Sequence, residues 1–198
     1  MQQLLHPSDY LRMPWKNGGG ELLDIYAQPA GAGLGAFDWR ASIALVQRSG
    51  PFSHFPGVDR TIVLLDGVGM RLESAGWSAD MATAFEPVRF PGEMSIECTL
   101  TDGPTRDFNL MVRRGVVQGD LVVVRDRAVT LPSADAILCF VAAGTVNVVA
   151  GDGPARRIDA ECTWILETDA ADARPIVALS PLTDDTVALV AIITRTAS

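Results

Sequence analysis

Four short segments combine charged, amide and aromatic side chains in the way that small-molecule binding sites do. They are residues 13–20 (MPWKNGGG), 37–42 (FDWRAS), 50–60 (GPFSHFPGVDR) and 107–113 (DFNLMVR). Arginine presents a planar fork that binds a carboxylate through two parallel hydrogen bonds, and asparagine both donates and accepts hydrogen bonds. Together these residue types predict a pocket that recognises a small anion.

Each polar group can be given a role toward an anionic ligand. Arg60 would clamp a carboxylate, Trp15 would form an apolar wall, and Lys16 would add positive charge. Asn17 and Asn109 would suit an amide or formamide group. The predicted ligand-binding residues are Trp15, Lys16, Asn17, Gly18, Gly19, Arg40, Ser53, Arg60, Asp107 and Asn109.

Asp107 and His54 are weak candidates for acid–base chemistry. Asp107 lies two positions before Asn109 on a predicted strand, so the two side chains share a face, and Asp107 would orient Arg60 or accept a ligand N–H. The three glycines at 18–20 would let the backbone approach a ligand closely and offer free N–H groups.

Each assignment has a purely structural alternative. Arg60 and Asp107 could form a buried ion pair that fixes strand register. Trp15 could plug the end of a barrel, Arg40 could face solvent, and His54 could be a polar rim residue. The glycines at 18–20 could form only a turn.

In residue type, order and spacing, the four segments resemble the HutD/Ves family. That pattern reads Trp-Lys/Arg-Asn, Phe-x-Trp-Arg-x-Ser, Phe-Ser-x-Phe-Pro-Gly-x-x-Arg and Asp-Phe-Asn-x-Met, and residues 15–113 follow it. The resemblance implies an all-β bicupin, two small antiparallel jelly-roll β-barrels in tandem, in a soluble bacterial protein. It also implies a link to histidine utilisation or a stress response, with N-formylglutamate as a proposed ligand. Leu22 and Asp24 depart from the family pattern.

The metal-binding pattern of cupins, Gly-x5-His-x-His-x3/4-Glu-x6-Gly, is lost in this chain. With Gly67 as its last glycine, Arg60 stands at the glutamate position, and His54 and Pro56 stand at the histidine positions. Thr105 stands at the last histidine position of the second cupin motif. Because Arg60 would repel a cation and one histidine cannot hold iron, manganese or zinc, we expect no metal and no other cofactor.

The elements that must position these groups are predominantly β-strands. Short runs of Val, Ile, Leu, Phe and Thr alternate with Gly, Pro and Asp, which is typical of an all-β sandwich or barrel. The pattern predicts strands at 22–28, 37–48, 60–65, 69–73, 94–100, 106–113, 121–125, 136–141, 145–149, 162–166, 176–179 and 187–195.

A self-similarity suggests two related halves. TIVLLDG at 61–67 resembles LCFVAAG at 138–144, 77 positions later (138 − 61). We place an N-terminal cupin barrel with the site at residues 1–115 and a structural C-terminal barrel at 116–198. Both histidines and Lys16 lie in the first half, which is why the site is expected there.

The amino-acid composition argues against two classes of binding partner, nucleic acids and acidic membranes. The net charge is −8 and Lys16 is the single lysine, so no basic stripe is available for nucleic acid or an acidic membrane surface. Three cysteines without a Cys-x-x-Cys pair suit a reducing compartment. The first 13 residues contain no apolar signal region, so a cytoplasmic location is expected.

Two functions of different classes follow. The first is a non-catalytic protein that binds a small anionic metabolite, such as N-formylglutamate or urocanate, and regulates histidine utilisation. The alternative is a metal-independent enzyme, a deformylase, isomerase or lyase, that acts on such a metabolite through His54 or Asp107. A purely structural module would not need the combination of Arg60, Lys16 and Asn17. A homodimer is compatible with the extra sheet edges.

Overall fold

The computed structural model describes residues 1–15, 18–33, 35–168 and 174–196, and nearly all regular structure in them is β-strand. A short 3₁₀ helix spans Pro7–Asp9. The first strands are β1 (Gln2–Leu5), β2 (Leu11–Pro14), β3 (Gly20–Gln28), β4 (Trp39–Val46), β5 (Gly50–Pro51), β6 (Val58–Asp66), β7 (Met70–Ser74), β8 (Trp77–Met81), β9 (Pro87–Pro91), β10 (Glu97–Leu100) and β11 (Thr105–Arg113). The remaining strands are β12 (Val117–Val124), β13 (Val129–Leu131), β14 (Ala136–Ala143), β15 (Thr145–Ala150), β16 (Arg156–Asp159), β17 (Thr163–Glu167), β18 (Val177–Pro181) and β19 (Val187–Arg195).

The chain divides into two compact units. The first unit is Tyr10–Val117, and the second combines Met1–Asp9 with Gln118–Ser198. The sequence-based boundary between residues 115 and 116 lies two residues before the start of Gln118–Ser198. The first nine residues belong to the second unit because β1 pairs with β17, from Gln2 opposite Leu166 to Leu5 opposite Thr163.

The first unit is built from two antiparallel sheets. Their strand orders are β2-β3-β4-β11-β6-β9 and β5-β10-β7-β8. One apolar core draws on both sheets, with Ile62 and Leu64 from the six-stranded sheet and Met70, Leu72 and Cys98 from the four-stranded sheet. The two sheets therefore pack face to face, and the inward positions of β6 and β11 point into the space between them.

The second unit repeats this strand order. Its sheets run β1-β17-β14-β19-β12 and β13-β18-β15-β16. Adding eight to each strand number converts β4-β11-β6-β9 into β12-β19-β14-β17, and β5-β10-β7-β8 into β13-β18-β15-β16. The described sheets end in edge strands, so the described part of each unit is a pair of open sheets and not the closed β-barrel that the sequence predicted.

Two glycines occupy equivalent turns in the two units. Gly67 follows β6 with φ +105°, and Gly144 follows β14 with φ +67°. A Cβ on Gly67 would lie 2.7 Å from the Pro104 carbonyl oxygen, and one on Gly144 would lie 2.7 Å from the Cα of Thr186. These are the last glycines of the two similar segments, so the structure gives that similarity a physical basis.

Each of the twelve strands expected from hydrophobic pattern overlaps an observed strand, and seven observed strands were missed. The missed strands are Gln2–Leu5, Leu11–Pro14, Gly50–Pro51, Trp77–Met81, Pro87–Pro91, Val129–Leu131 and Arg156–Asp159. These strands have two to five residues each, and several contain proline or charged residues, which weakens the alternating signal. No helix in the described ranges is long and apolar enough to cross a membrane.

Candidate functional site

The inward face of the six-stranded sheet carries a polar patch. Arg60 of β6 lies opposite Met111 of β11, which lies opposite Arg40 of β4. Further along β11, Asn109 lies opposite Ile62, and Asp107 lies opposite Leu64. Because directly paired residues share a face, these polar side chains project toward the same interior as the apolar core.

Arg60 is held among aromatic rings. Its side chain is 6% exposed, and its Cζ lies 5.4 Å, 5.5 Å and 5.1 Å from the ring centroids of Phe52, Phe55 and Phe90. Its Nη1 donates a long 3.5 Å hydrogen bond to the Ser53 carbonyl, and its Nε has no partner. Burial lowers the pKa of the guanidinium to about 10, opposed by the negative charge of Asp107, so Arg60 remains a cation at neutral pH.

Asp107 is a buried carboxyl without a hydrogen bond. It is 1% exposed, and neither of its oxygens has a partner. Burial raises its pKa to about 7, and the charge of Arg60 limits that rise. Arg60 and Asp107 are therefore not hydrogen-bonded to each other, although their charges interact. Asn109, 3% exposed, also leaves its Oδ1 unpartnered.

Arg40 lies in the same interior and is paired with Asp24, which is not among the predicted ligand-binding residues. Its Nε donates to Asp24 Oδ1 at 2.8 Å, and the two side chains are 2% and 17% exposed. The alternative that Arg40 faces solvent is therefore wrong. One further nitrogen, Nη1, is buried without a partner. Most of the positive charge of Arg40 is compensated by Asp24, whereas Arg60 has no carboxylate in contact.

The glycine-rich segment forms a tight connection into β3. The Trp15 N–H donates to the Gly20 carbonyl at 2.9 Å, and the Gly18 N–H donates to the Trp15 carbonyl at 3.0 Å. The half-buried Trp15 ring packs against the core of the first unit. A Cβ on Gly20 would lie 2.2 Å from the Leu45 carbonyl oxygen, so only glycine fits there. Lys16 and Asn17 lie outside the described residues.

Ser53 and His54 lie on the loop between β5 and β6. Both are exposed. They help to line a cavity of about 380 Å³ together with Gly35, Phe55, Pro56, Val58 and Arg113. Arg113 is occupied there, since it donates to the carbonyl oxygens of Phe37 and Gly35 at 2.8 Å and 2.9 Å. Ser53 contributes its backbone carbonyl to Arg60, whereas Asp107 and Asn109 are enclosed.

Comparison with known proteins identifies the family to which this chain belongs. A model of the HutD family matches residues 7–178. The chain belongs to the HutD family. An uncharacterized 21.2 kDa protein in the hutC 3' region of Pseudomonas putida is 40% identical over 146 residues, which are 74% of this chain and 76% of that protein. Protein Ves of Cronobacter sakazakii is 37% identical over 140 residues, 69% of this chain and 75% of that protein.

Solved structures agree with this family and extend the fold comparison. HutD from Pseudomonas fluorescens SBW25, solved in a formate condition, superposes with a TM-score of 0.84 at 30% identity and covers 100% of both chains. An oxalate decarboxylase from Lactobacillus farciminis superposes with a TM-score of 0.66 at 6% identity, covering 98% of this chain and 86% of that one. The second likeness concerns the fold alone, which is all-β and cupin-like.

Sequence reasoning missed the residues that surround the arginines of this HutD-family chain. Phe52 and Phe55 stand within the segment that supplied Arg60, so their proximity to it was a usable signal. Phe90 lies opposite Arg60 in the β6–β9 pairing, and β9 was not predicted. In the sequence, Asp24 stands out only as a departure from the family pattern. Its pairing with Arg40 depends on the β3–β4 register, which contains an irregularity between Asp24 and Tyr26.

The residues at the cupin metal positions do not fit a metal ion. Arg60 is a buried cation, and His54 is exposed on the loop. Across the described ranges, no group of three or more His, Cys, Asp or Glu side chains could hold a metal. The polar groups of this interior are instead suited to hydrogen bonding and to neutralising a negative charge.

Proposed function

We propose that this HutD-family chain is a non-catalytic protein that binds a small carboxylate-bearing metabolite in the interior of its first unit. The observation that carries the proposal is Arg60, a buried guanidinium with an unpartnered Nε and no carboxylate in contact. Burying a charge without a partner is costly, and a ligand carboxylate is the group that a guanidinium fork fits best. The three phenylalanine rings orient the fork and exclude water around it.

The acceptors near Arg60 suit the remainder of such a ligand. Asp107 and Asn109 leave three oxygens unpartnered in the same interior, and these could accept N–H or O–H groups from an amide or formyl-amino group. This pattern supports N-formylglutamate or urocanate as ligand candidates. In this proposal, Trp15, Gly18 and Gly19 form the border of the site, with Lys16 and Asn17 in the same loop.

The proposal extends to architecture and biological role. Repetition of one strand order in both units supports a bicupin, two cupin domains in tandem, with the second serving as structure. The hutC 3' region named for the Pseudomonas putida relative supports a regulator of histidine utilisation in a bacterium. We place the protein in the cytoplasm, without a nucleic-acid or membrane partner and without a cofactor, and propose that it forms a homodimer.

Calorimetric titration of metal-stripped protein tests the ligand-binding proposal. N-formylglutamate, urocanate, histidine and glutamate are each titrated into the wild type, Arg60→Met and Arg48→Met, where Arg48 is an exposed arginine of the same unit. We expect at least one carboxylate to bind in the presence of chelator, with affinity at least tenfold weaker in Arg60→Met and unchanged in Arg48→Met. Equal binding by the two variants would refute the role of Arg60.

A second candidate function, metal-independent catalysis, is favoured by one observation. A carboxyl whose pKa is about 7, as in Asp107, is able to accept and donate a proton at neutral pH. The same mixtures are therefore followed for product by chromatography. Turnover that is lost in Asp107→Asn would favour the enzyme, whereas binding without product supports the non-catalytic protein.

A further inference from the structure

Among the described groups in this interior, Arg60 and Asp107 are the two charged groups that have no group of opposite charge in direct contact. Among the described residues, Arg40 and Asp24 neutralise each other at 2.8 Å. From the opposite sheet, β10 contributes Cys98, and burial raises the pKa of that thiol to about 12, so it is neutral at physiological pH. The facing positions of β7, β8 and β9 are Met70, Leu72, Met81 and Phe90, which are apolar. Arg60 and Asp107 are thus the two groups whose charge states matter.

The charge of Arg60 stabilises the ionised form of Asp107, although the two groups are not hydrogen-bonded to each other. Burial favours the neutral form of the carboxyl group, and the charge of the guanidinium favours the ionised form. A carboxylate ligand on Arg60 would place a negative charge in the same enclosed space. That charge would cancel the attraction to Arg60 and repel an ionised Asp107, because interactions between charges are strong where water is excluded.

We propose that the interior of the first unit takes up a small carboxylate together with a proton, and that Asp107 is the group that receives the proton. This inference rests on the proposed ligand-binding function. Neither Asp107 oxygen has a hydrogen-bond partner in the protein, so the protonated group is free to donate its O–H to the ligand. The ligand would therefore bind more weakly as pH rises above neutrality.

Linkage gives the expected size of the effect. If an anion on Arg60 raises the pKa of Asp107 by about one unit from its value near 7, binding takes up about 0.3–0.5 proton per ligand between pH 7 and 8. Uptake falls to about zero near pH 5.5, where Asp107 is already protonated in the free protein. Affinity then drops about tenfold between pH 6 and 9.

The experiment measures proton uptake by calorimetry in two buffers with different ionisation heats, with N-formylglutamate and acetate as probes. Wild type, Asp107→Asn and Asp102→Asn are compared from pH 5.5 to 9, and Asp102 is an exposed acid of the same unit. We expect uptake in wild type and Asp102→Asn, and neither uptake nor pH dependence in Asp107→Asn. Binding without uptake, or equal uptake in Asp107→Asn, overturns the inference and leaves the proposed function intact.

Two further readouts separate the possible failures. If no carboxylate binds the wild type at any pH, the proposed function fails and this inference fails with it. If Asp107→Asn does not fold, infrared spectroscopy of the wild type at pH 7.5 gives the answer without a variant. A carbonyl band of a protonated carboxylic acid should grow when ligand is added, and a decrease of that band would contradict proton uptake.

Discussion

The two units share one strand order, but their inward faces differ. The first unit carries polar side chains at positions where the second carries apolar ones. In the first unit, Arg60 lies opposite Met111, and in the second Ile137 lies opposite Ile192. The apolar core of the second unit includes Cys139, Val141 and Trp164. The register of the central strands is therefore comparable position by position, and the described residues at the equivalent positions of the second unit are apolar.

The difference between the two inward faces can be assigned to three pairs of equivalent positions. Asp107 lies opposite Leu64, as Ala188 lies opposite Val141. Asn109 lies opposite Ile62, as Val190 lies opposite Cys139. Arg60, Asp107 and Asn109 thus correspond to Ile137, Ala188 and Val190.

The scaffold does not require polar groups at these positions. At these positions the second unit carries aliphatic side chains, whose burial stabilises a fold without a cost for desolvating charge. In the first unit, the same positions hold groups that are costly to bury and leave four named atoms without partners: Arg60 Nε, both Asp107 oxygens and Asn109 Oδ1. Such a departure from good packing is expected where a protein binds something.

Replacing Asp107 with asparagine should give the largest change in stability. The substitution removes an ionisable group from the interior of the first unit, which then resembles the interior of the second unit more closely. The pKa of Asp107 is about 7 in the folded protein and near 3.8 when exposed. Between these values the folded state keeps a proton that the unfolded state releases, so stability falls from pH 4 to pH 7 and the loss persists above pH 7. The full loss is about 4 kcal/mol, from three pKa units at about 1.4 kcal/mol each.

The Asp107→Asn protein should therefore gain up to about 4 kcal/mol over wild type at pH 7.5 and almost nothing at pH 3.5. Urea unfolding followed by circular dichroism over this pH range measures the gain. Asp102→Asn, in an exposed turn, serves as the control and should follow the wild-type profile. A gain of equal size at every pH would show that the titration of Asp107 is not its source.

The turn glycines test what the two units share. Alanine at Gly67 or Gly144 would have to adopt a positive φ and approach neighbouring backbone within 2.7 Å. Each substitution should cost about 2–4 kcal/mol. Gly103→Ala is the matched control, because its φ is +69° but a Cβ there meets nothing within 4 Å, and its expected cost is about 1 kcal/mol. Thermal unfolding of all three variants measures the costs, and a cost at either turn no larger than the control would contradict equivalent packing.

The long strands and the location of the polar residues could be predicted from the sequence, but the partners of those residues could not. A continuous apolar run marks β6, alternating apolar residues mark β11, and the spacing of Asp107 and Asn109 places them on one face. The distance between Arg60 and Asp107 depends on register. They are offset by four residues along paired strands, because Arg60 lies opposite Met111. The sequence placed two complementary charges on one face, but it could not show that they are not hydrogen-bonded to each other.

Short strands were missed for a different reason. β9 and β1 have five and four residues, too few for an alternation to stand out from chance. β9 brings Phe90 to Arg60, and β1 joins the second unit through a partner more than 150 residues away in sequence. Such long-range pairings are decided by tertiary packing, which local pattern does not encode.

Arg60→Met should have the smallest effect on stability at neutral pH. Methionine keeps apolar contact with the rings of Phe52, Phe55 and Phe90 and removes a buried charge, while the cation–π attraction is lost. These effects oppose each other, so we expect a change within about 1 kcal/mol at pH 7.

Above pH 7, the stability of Arg60→Met should fall below that of the wild type. The charge of Arg60 limits the effect of burial on Asp107, so the pKa of that carboxyl rises further when Arg60 is replaced. Stability of Arg60→Met should then continue to fall with pH beyond the point where wild type levels off, so the variant is the less stable protein at pH 8–9. In an Asp107→Asn background this pH-dependent difference should disappear, since the titrating group is gone. If the pH-dependent difference persists in the Asp107→Asn background, the charge of Arg60 affects stability through a group other than Asp107. The interaction between Arg60 and Asp107 would then not control the pH dependence of the first unit.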